Sequence, residues 1–162
     1  MEIKDAIKFL ESCIKDPKVG LPEELFLFLT RTTPMVNVDL LIKDEDNRTL
    51  LSWRNDEYYF GWHIPGGIVR YKEKLIERVE KVAETEIGTN VKFCKKPIAI
   101  NEIILDQYNR SHFISFLYRC FLSKKFIPKN TNLNKTDNGY LEWHEKCPKN
   151  LIKAHEIYRK FI

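Results

Sequence analysis

Residues 61–88 read GWHIPGGIVRYKEKLIERVEKVAETEIG, and this stretch decides the fold. The chain has only six glycines, and Gly61, Gly66 and Gly67 fall within seven residues. Glycine tolerates backbone shapes and close approaches that other residues do not. Scarce glycine gathered just before a helix therefore marks either a tight strand-to-helix turn or a backbone built to approach something. The helix is expected from about Lys72 to Ile87, with Gly88 at the usual C-terminal glycine position. At about 100° per residue, Glu77, Glu80 and Glu84 lie within ~40° of Glu73 and form an acidic stripe for solvent. Leu75, Val79, Val82 and Ala83 take the opposite side, centred near ~225°, and Glu86 falls among them at ~220°. A carboxylate buried without a partner is strongly destabilising. Glu86 is therefore neutral, paired to a base, bound to a cation, or released to solvent by fraying of the helix end.

Upstream of this stretch the period becomes two. Val36, Val38, Leu40 and Ile42 share one face, and Asn37, Asp39 and Leu41 share the other. The acidic run at 44–47 is a turn, residues 49–53 form a partner strand, and residues 58–64 a third strand. Downstream, strands are expected over about 91–106 and 113–122, then a polar loop over 123–140 and a last helix over about 151–161. Near the start, Ile3, Ala6, Ile7, Leu10, Cys13 and Ile14 lie at helical spacing, and Asp16-Pro17 and Gly20 end that helix. Pro22-Glu23-Glu24 opens a second short helix that runs to about Thr30. This order of elements predicts an α+β fold, an α/β/α sandwich with a mixed β-sheet rather than a doubly wound parallel one.

The 162 residues are expected to form one domain over 1–162, with 1–20 as an N-terminal helical extension. Such a length buries a core without disulfides or a structural metal. Apolar residues at 43% and charged residues at 31% exclude a disordered chain, a collagen-like chain and a disulfide mini-protein. The net charge of +4 draws a small anion such as a nucleotide, but is too weak and scattered to argue for nucleic acid. No stretch approaches the roughly eighteen apolar residues of a membrane span. The opening MEIKDAIKFLESCIKD carries acid and base throughout, unlike a secretory signal. Cys13, Cys94, Cys120 and Cys147 share no metal-ligand spacing and read as reduced thiols, mostly core fillers, in a cytoplasmic protein.

The stretch from Gly67 to Gly88 resembles the Nudix hydrolase signature: Gly, five residues, Glu, seven residues, then Arg-Glu-apolar-x-Glu-Glu-x-Gly. Gly67 and Glu73 keep the first spacing, and Lys81-Val82-Ala83-Glu84-Thr85-Glu86-Ile87-Gly88 keeps the second. Lys81 stands for the Arg, Val82 for the Glu after it, and Thr85 for the first Glu of the pair. One branch of the family, the GDP-mannose mannosyl hydrolases, lacks the same two carboxylates; its box is similar to Arg-Leu-Thr-x-Ala-Glu-Leu-Gly. Residues 31–42, RTTPMVNVDLLI, and 50–55, LLSWRN, are similar to that branch's Arg-Ser-Thr-Pro-Leu-Val-Ser-x-Asp and Leu-Leu-x-x-Arg-x segments. The match covers about residues 22–122.

The resemblance implies a Nudix-type sandwich and a Mg²⁺-dependent enzyme that releases GDP from GDP-mannose by attack of water at the sugar carbon. By position, Glu86, the Gly66 carbonyl and Asp137 would hold Mg²⁺. Arg54 would grip the leaving diphosphate. Asp39, Arg70 and His112 would contact the substrate, and Glu73 would pair with Lys81. Ile68 replaces an arginine of the branch, with Arg70 two residues on. Anchored on Trp143, the branch's catalytic histidine falls at Asn138, which accepts no proton at neutral pH. The base would then come from Asp137, His112 or His144, while His63 reads as structural. The alternatives are a pyrophosphohydrolase attacking phosphorus, with further carboxylates such as Glu102 or Asp106, and a non-catalytic binding module. The branch forms homodimers, so the N-terminal helix would cover either its own domain, the favoured place, or a partner subunit.

Overall fold

The computed structural model describes residues 2–162. α1 (Ile3–Ser12) and α2 (Glu23–Thr30) precede β1 (Met35–Ile42), β2 (Thr49–Asn55), β3 (Phe60–His63) and β4 (Gly66–Ile68). α3 (Leu75–Val82) runs on into a π-helical turn (Ala83–Ile87). β5 (Lys92–Phe93), β6 (Ala99–Ile104), β7 (His112–Phe121), β8 (Leu141–His144) and a 3-10 helix (Lys153–Tyr158) follow. β1 pairs antiparallel with β4 and parallel with β7, which carries β5 and β6 antiparallel along its other side. β2 lies between β3 and β8 in a second, antiparallel sheet. This is the mixed α+β architecture that the order of elements predicts.

The two faces of β1 build two parts of the core. Val38, Leu40 and Ile42 pack with Val79, Val82, Ala83 and Ile87 of the long helix. Leu41, on the opposite face, packs with Trp53, Trp62, Ile64, Leu117 and Tyr158. The period of two holds, but both faces are buried from Val38 onward because the strand is covered on both sides.

Several boundaries differ from expectation. α3 starts at Leu75, not Lys72, because Lys72 has a φ of 58°, outside the right-handed helical region. Gly88 ends the helix as expected, with a φ of 75°. The single strand expected over 91–106 is two strands. Cys94 N–H reaches the Arg119 carbonyl and Ile98 N–H the Leu117 carbonyl, so Lys95-Lys96-Pro97 loops out, and Pro97 has no N–H to give the ladder. Gly66–Ile68 and Leu141–His144 are strands that the pattern did not announce. The last helix is a 3-10 segment confined to Lys153–Tyr158. α1 buries no residue, so the expected packing of its stripe on its own domain is not met; Ile3, Ile7, Phe9 and Leu10 are exposed. Cys120 alone among the cysteines is buried, while Cys13 and Cys94 are exposed and fill no core. Among the described residues no helix is long and apolar enough to cross a membrane.

Candidate active site

β1 and β4 meet at Asp39 and Gly66. Leu40 donates its N–H to the Pro65 carbonyl at 2.8 Å. The adjacent pair, Asp39 and Gly66, therefore takes the non-hydrogen-bonded position of the ladder. There the strands approach most closely, and the backbone N–H and C=O turn away from the partner. A Cβ on residue 66 would collide with Asp39 Oδ1 and come within 2.9 Å of the Val38 carbonyl oxygen. The glycine is thus required by close approach, and its outward N–H donates to Glu86 Oε2 at 3.2 Å.

Glu86 arrives there from the π-helical turn. Bonding from i to i+5 widens the helix and rotates the side chains that follow, a device frequent at functional sites. Ala83 and Ile87 stay in the core while Glu86, with 24% of its side chain exposed, leaves it. Its Oε1 lies 3.7 Å from Arg54 Nη2. Burial pushes this carboxyl up to about 7; Asp39 adds to the rise, and Arg54 and the Gly66 N–H oppose it. Arg54 itself is loosely held. Asp56 stands 3.8 Å from its Nε, and that nitrogen is buried with no hydrogen-bond partner.

Asp39 is fully buried and saturated. Its Oδ2 accepts from Ser115 and, at 2.7 Å, from the Tyr158 hydroxyl; its Oδ1 accepts from Asn37 Nδ2 at 2.9 Å. His155 Nδ1 accepts the Ile64 N–H at 3.0 Å, which leaves its proton on Nε2, 3.8 Å from Asp39 Oδ1. His63 has the reverse tautomer. Its Nδ1 donates to the Ile64 carbonyl at 2.8 Å, so Nε2 keeps a lone pair. Burial, then the charge of Arg54, lowers His63 well below the usual imidazole value. Burial also lowers His155, against the pull of Asp39.

These groups open on a cavity of about 930 Å³. Asp39, Arg54, Gly66 and Arg70 line it, and Glu86 joins them through Gly66 and Arg54. The other expected residues lie elsewhere. Asp137 Oδ2 accepts from Asn134 N–H at 2.7 Å and closes its own turn. Asn138 is exposed, and its Oδ1 accepts the Asn55 N–H at 3.2 Å. His112 faces Glu102 at 3.2 Å, and His144 stacks edge-on against Trp62. Asp106 does not line the cavity either. Glu73 does not pair with Lys81. It precedes the helix, where helical spacing does not apply, and its Oε2 accepts from Arg70 N–H and Arg78 Nε, both at 2.8 Å. Lys81 pairs with Glu84 at 2.7 Å.

Sequence reasoning missed Ser115, His155 and Tyr158, and it missed the segment Cys13–Glu23 that walls the cavity. The one signal was Asp39 itself, a carboxylate in an apolar strand that must find donors. Among the described residues no three His, Cys, Asp or Glu side chains form a metal cage. Mg²⁺ needs none, since one or two carboxylates plus substrate phosphates and water suffice. The poorly hydrated Glu86 carboxyl beside the outward Gly66 backbone fits such a half-built site.

No protein-family model matches the chain. The MutT NUDIX hydrolase from Burkholderia pseudomallei superposes with a TM-score of 0.62 over 80% of this chain and 98% of its own, at 21% identity. A UDP-X diphosphatase superposes over 99% of this chain and 91% of its own, with a TM-score of 0.56 and 19% identity. The fold is therefore that of the Nudix hydrolases. In sequence, the chain is 34% identical over 76 residues to the low-salt glycan biosynthesis protein Agl8 of Haloferax volcanii. That is 46% of this chain, and the match spans about half, 48%, of the relative's length.

Proposed function

We propose that the protein is a Mg²⁺-dependent hydrolase of nucleoside-diphosphate sugars, with GDP-mannose the first candidate, in which water attacks the sugar carbon and the diphosphate departs. One observation carries this reading: the box helix brings a single carboxylate, Glu86, to the Gly66 backbone and Arg54. Of the two positions where the Nudix signature has further glutamates, Val82 is buried in the core and Thr85 donates its hydroxyl to the Lys81 carbonyl. Departure of a diphosphate from carbon needs its own charge neutralised, and needs no array of carboxylates around phosphorus.

Mg²⁺ held by Glu86 and the Gly66 carbonyl would supply that neutralisation. Arg54, which lines the cavity, would donate from its guanidinium to the diphosphate oxygens. Arg70 adds a second positive charge to the same cavity. Asp39, fixed by Ser115, Tyr158 and Asn37, keeps the Gly66 backbone in place. The lone pair on His63 Nε2 takes the proton of the attacking water. On this reading the chain is one domain working in the cytoplasm as a homodimer, with the exposed stripe of α1 against a second copy.

Incubation with GDP-mannose and Mg²⁺ in isotopically labelled water tests the reading. GDP and labelled free mannose are expected. GMP and mannose phosphate would instead mean attack at phosphorus, the second reading, which the likeness to a UDP-X diphosphatase favours. Binding without turnover would leave a nucleotide-binding module.

A further inference from the structure

We propose that the cavity wall made by α2 and the turn between β6 and β7 is a nucleobase site, where Arg110 and Glu23 select keto bases (guanine or uracil) over amino bases (adenine or cytosine). The proposal rests on the nucleotide reading of the cavity given above. The Arg110 guanidinium lies over the rings of Tyr58 at 5.1 Å, Tyr59 at 5.6 Å and Phe26 at 6.0 Å. Its backbone is pinned on both sides. The N–H donates to Thr30 Oγ1 at 3.1 Å, and the carbonyl accepts from Gln107 Nε2 at 2.9 Å. Its φ of 53° is one that residues other than glycine adopt only where the surroundings enforce it. Arg48, Arg54, Arg78 and Arg159 each face a carboxylate within 4.0 Å. Among the described residues Arg110, like Arg31, Arg70 and Arg119, faces none; what sets it apart is that its Nε is buried with no hydrogen-bond partner while its guanidinium lies on three aromatic rings.

A cation held on aromatic faces without an anion is poised for an acceptor oxygen. Glu23 lines the same cavity and would repel a second anion, so an occupant that offers both an acceptor and an N–H is favoured. Ile103 and Phe113 add apolar surface to the same cavity, which suits the faces of a base. Guanine offers O6 and N7 to an arginine fork, and N1–H with its amino group to a carboxylate. Uracil offers O4 and N3–H. Adenine and cytosine reverse both signs, presenting an amino group to the cation and a bare ring nitrogen to the carboxylate.

Calorimetric titration of the full chain with GDP, UDP, ADP, CDP and inorganic pyrophosphate, each with Mg²⁺, tests this. GDP and UDP should bind at least about tenfold tighter than ADP and CDP. Arg110→Met should bring all four within about threefold of one another while pyrophosphate binds as before. Glu23→Gln, a change at an exposed residue that leaves the fold alone, should narrow the gap between GDP and ADP by about threefold or more. The larger of the GDP and UDP affinities identifies the natural base. Equal binding of the four nucleotides by the unaltered protein, or a preference that survives both substitutions, would overturn the proposal and leave the diphosphate site standing. Failure of pyrophosphate itself to bind would bring down the nucleotide reading, and this site with it.

Discussion

Glu86 holds its proton more tightly than a free glutamate does, at about 7 against the usual 4.5, chiefly because the fold dehydrates it. Between those two values the folded chain binds a proton that the unfolded chain has released. The stability linked to this group is therefore full below 4.5 and is lost as pH rises through 7, by at most about 3 kcal/mol. Metal-free protein should show a melting temperature that falls across this window, and Glu86→Gln should flatten the slope. An unchanged slope in the variant would mean that Glu86 is ionised throughout. Mg²⁺ and the proton compete for the same oxygens, so Mg²⁺ affinity should rise with pH to about 7 and level off above it. On our reading His63 takes the proton of the attacking water. His63→Asn keeps a donor for the Ile64 carbonyl and removes the Nε2 lone pair, so kcat should fall about a hundredfold or more while KM barely moves. Full kcat in that variant would send the proton of water elsewhere.

Elements were legible in the sequence where a period repeats over enough residues to be seen. β1 and the body of α3 are of this kind, while α2 and the Gly88 stop were legible from local end signals, Pro22-Glu23-Glu24 and the glycine itself. β4 and β8 are not: three and four residues long, they are strands because β1 and β2 offer them ladders. The π-helical turn is a subtler case. An α-helical count sets Glu86 among apolar side chains and so marks a conflict, which the chain resolves by changing its helix type. Within the candidate site, Gly66, Glu86, Arg54, Asp39 and Arg70 were named through the resemblance, whose register runs along contiguous patterned segments, and the fold brings them to one cavity. Asp137 and Asn138 were located by counting back from Trp143 into a polar loop without periodicity, and that loop ties itself to Asn134 and Asn55 instead. Two of the three donors to Asp39, Ser115 and Tyr158, come from 76 and 119 positions away, and no local pattern reports such distances. Tyr158 thereby joins the 3-10 helix to β1, and Ser115 joins β7 to it. Tyr158→Phe removes one of these donors from a fully buried carboxylate and should cost about 1–3 kcal/mol by chemical denaturation. Ser115→Ala should cost a similar amount, and the double variant should depart from the sum because both act on one oxygen. Additive losses would mean that the three groups do not form a network.

The molecule as a whole divides its N-terminal part into two jobs. Residues 13–23 wall the cavity, whereas α1 before them buries no residue and exposes Ile3, Ile7, Phe9 and Leu10. A helix of ten residues without tertiary cover is shorter than the roughly 12–15 residues at which isolated helices become even marginal in water. To persist, α1 needs a surface, and on our reading a second copy of the chain supplies it. Deleting residues 2–12 should then leave folding stability within about 0.5 kcal/mol in dilute solution, because nothing buried is removed. The same deletion should abolish self-association in sedimentation and leave nucleotide affinity untouched. Deleting residues 2–23 strips the cavity wall as well, and nucleotide binding should weaken at least about tenfold. Hydrogen exchange separates the two jobs directly. The amides of α1 should exchange at nearly unfolded rates in dilute protein and become protected only at concentrations where copies associate. Protection that is already present in the dilute monomer would mean that the domain itself holds the helix, and the homodimer would lose its physical basis.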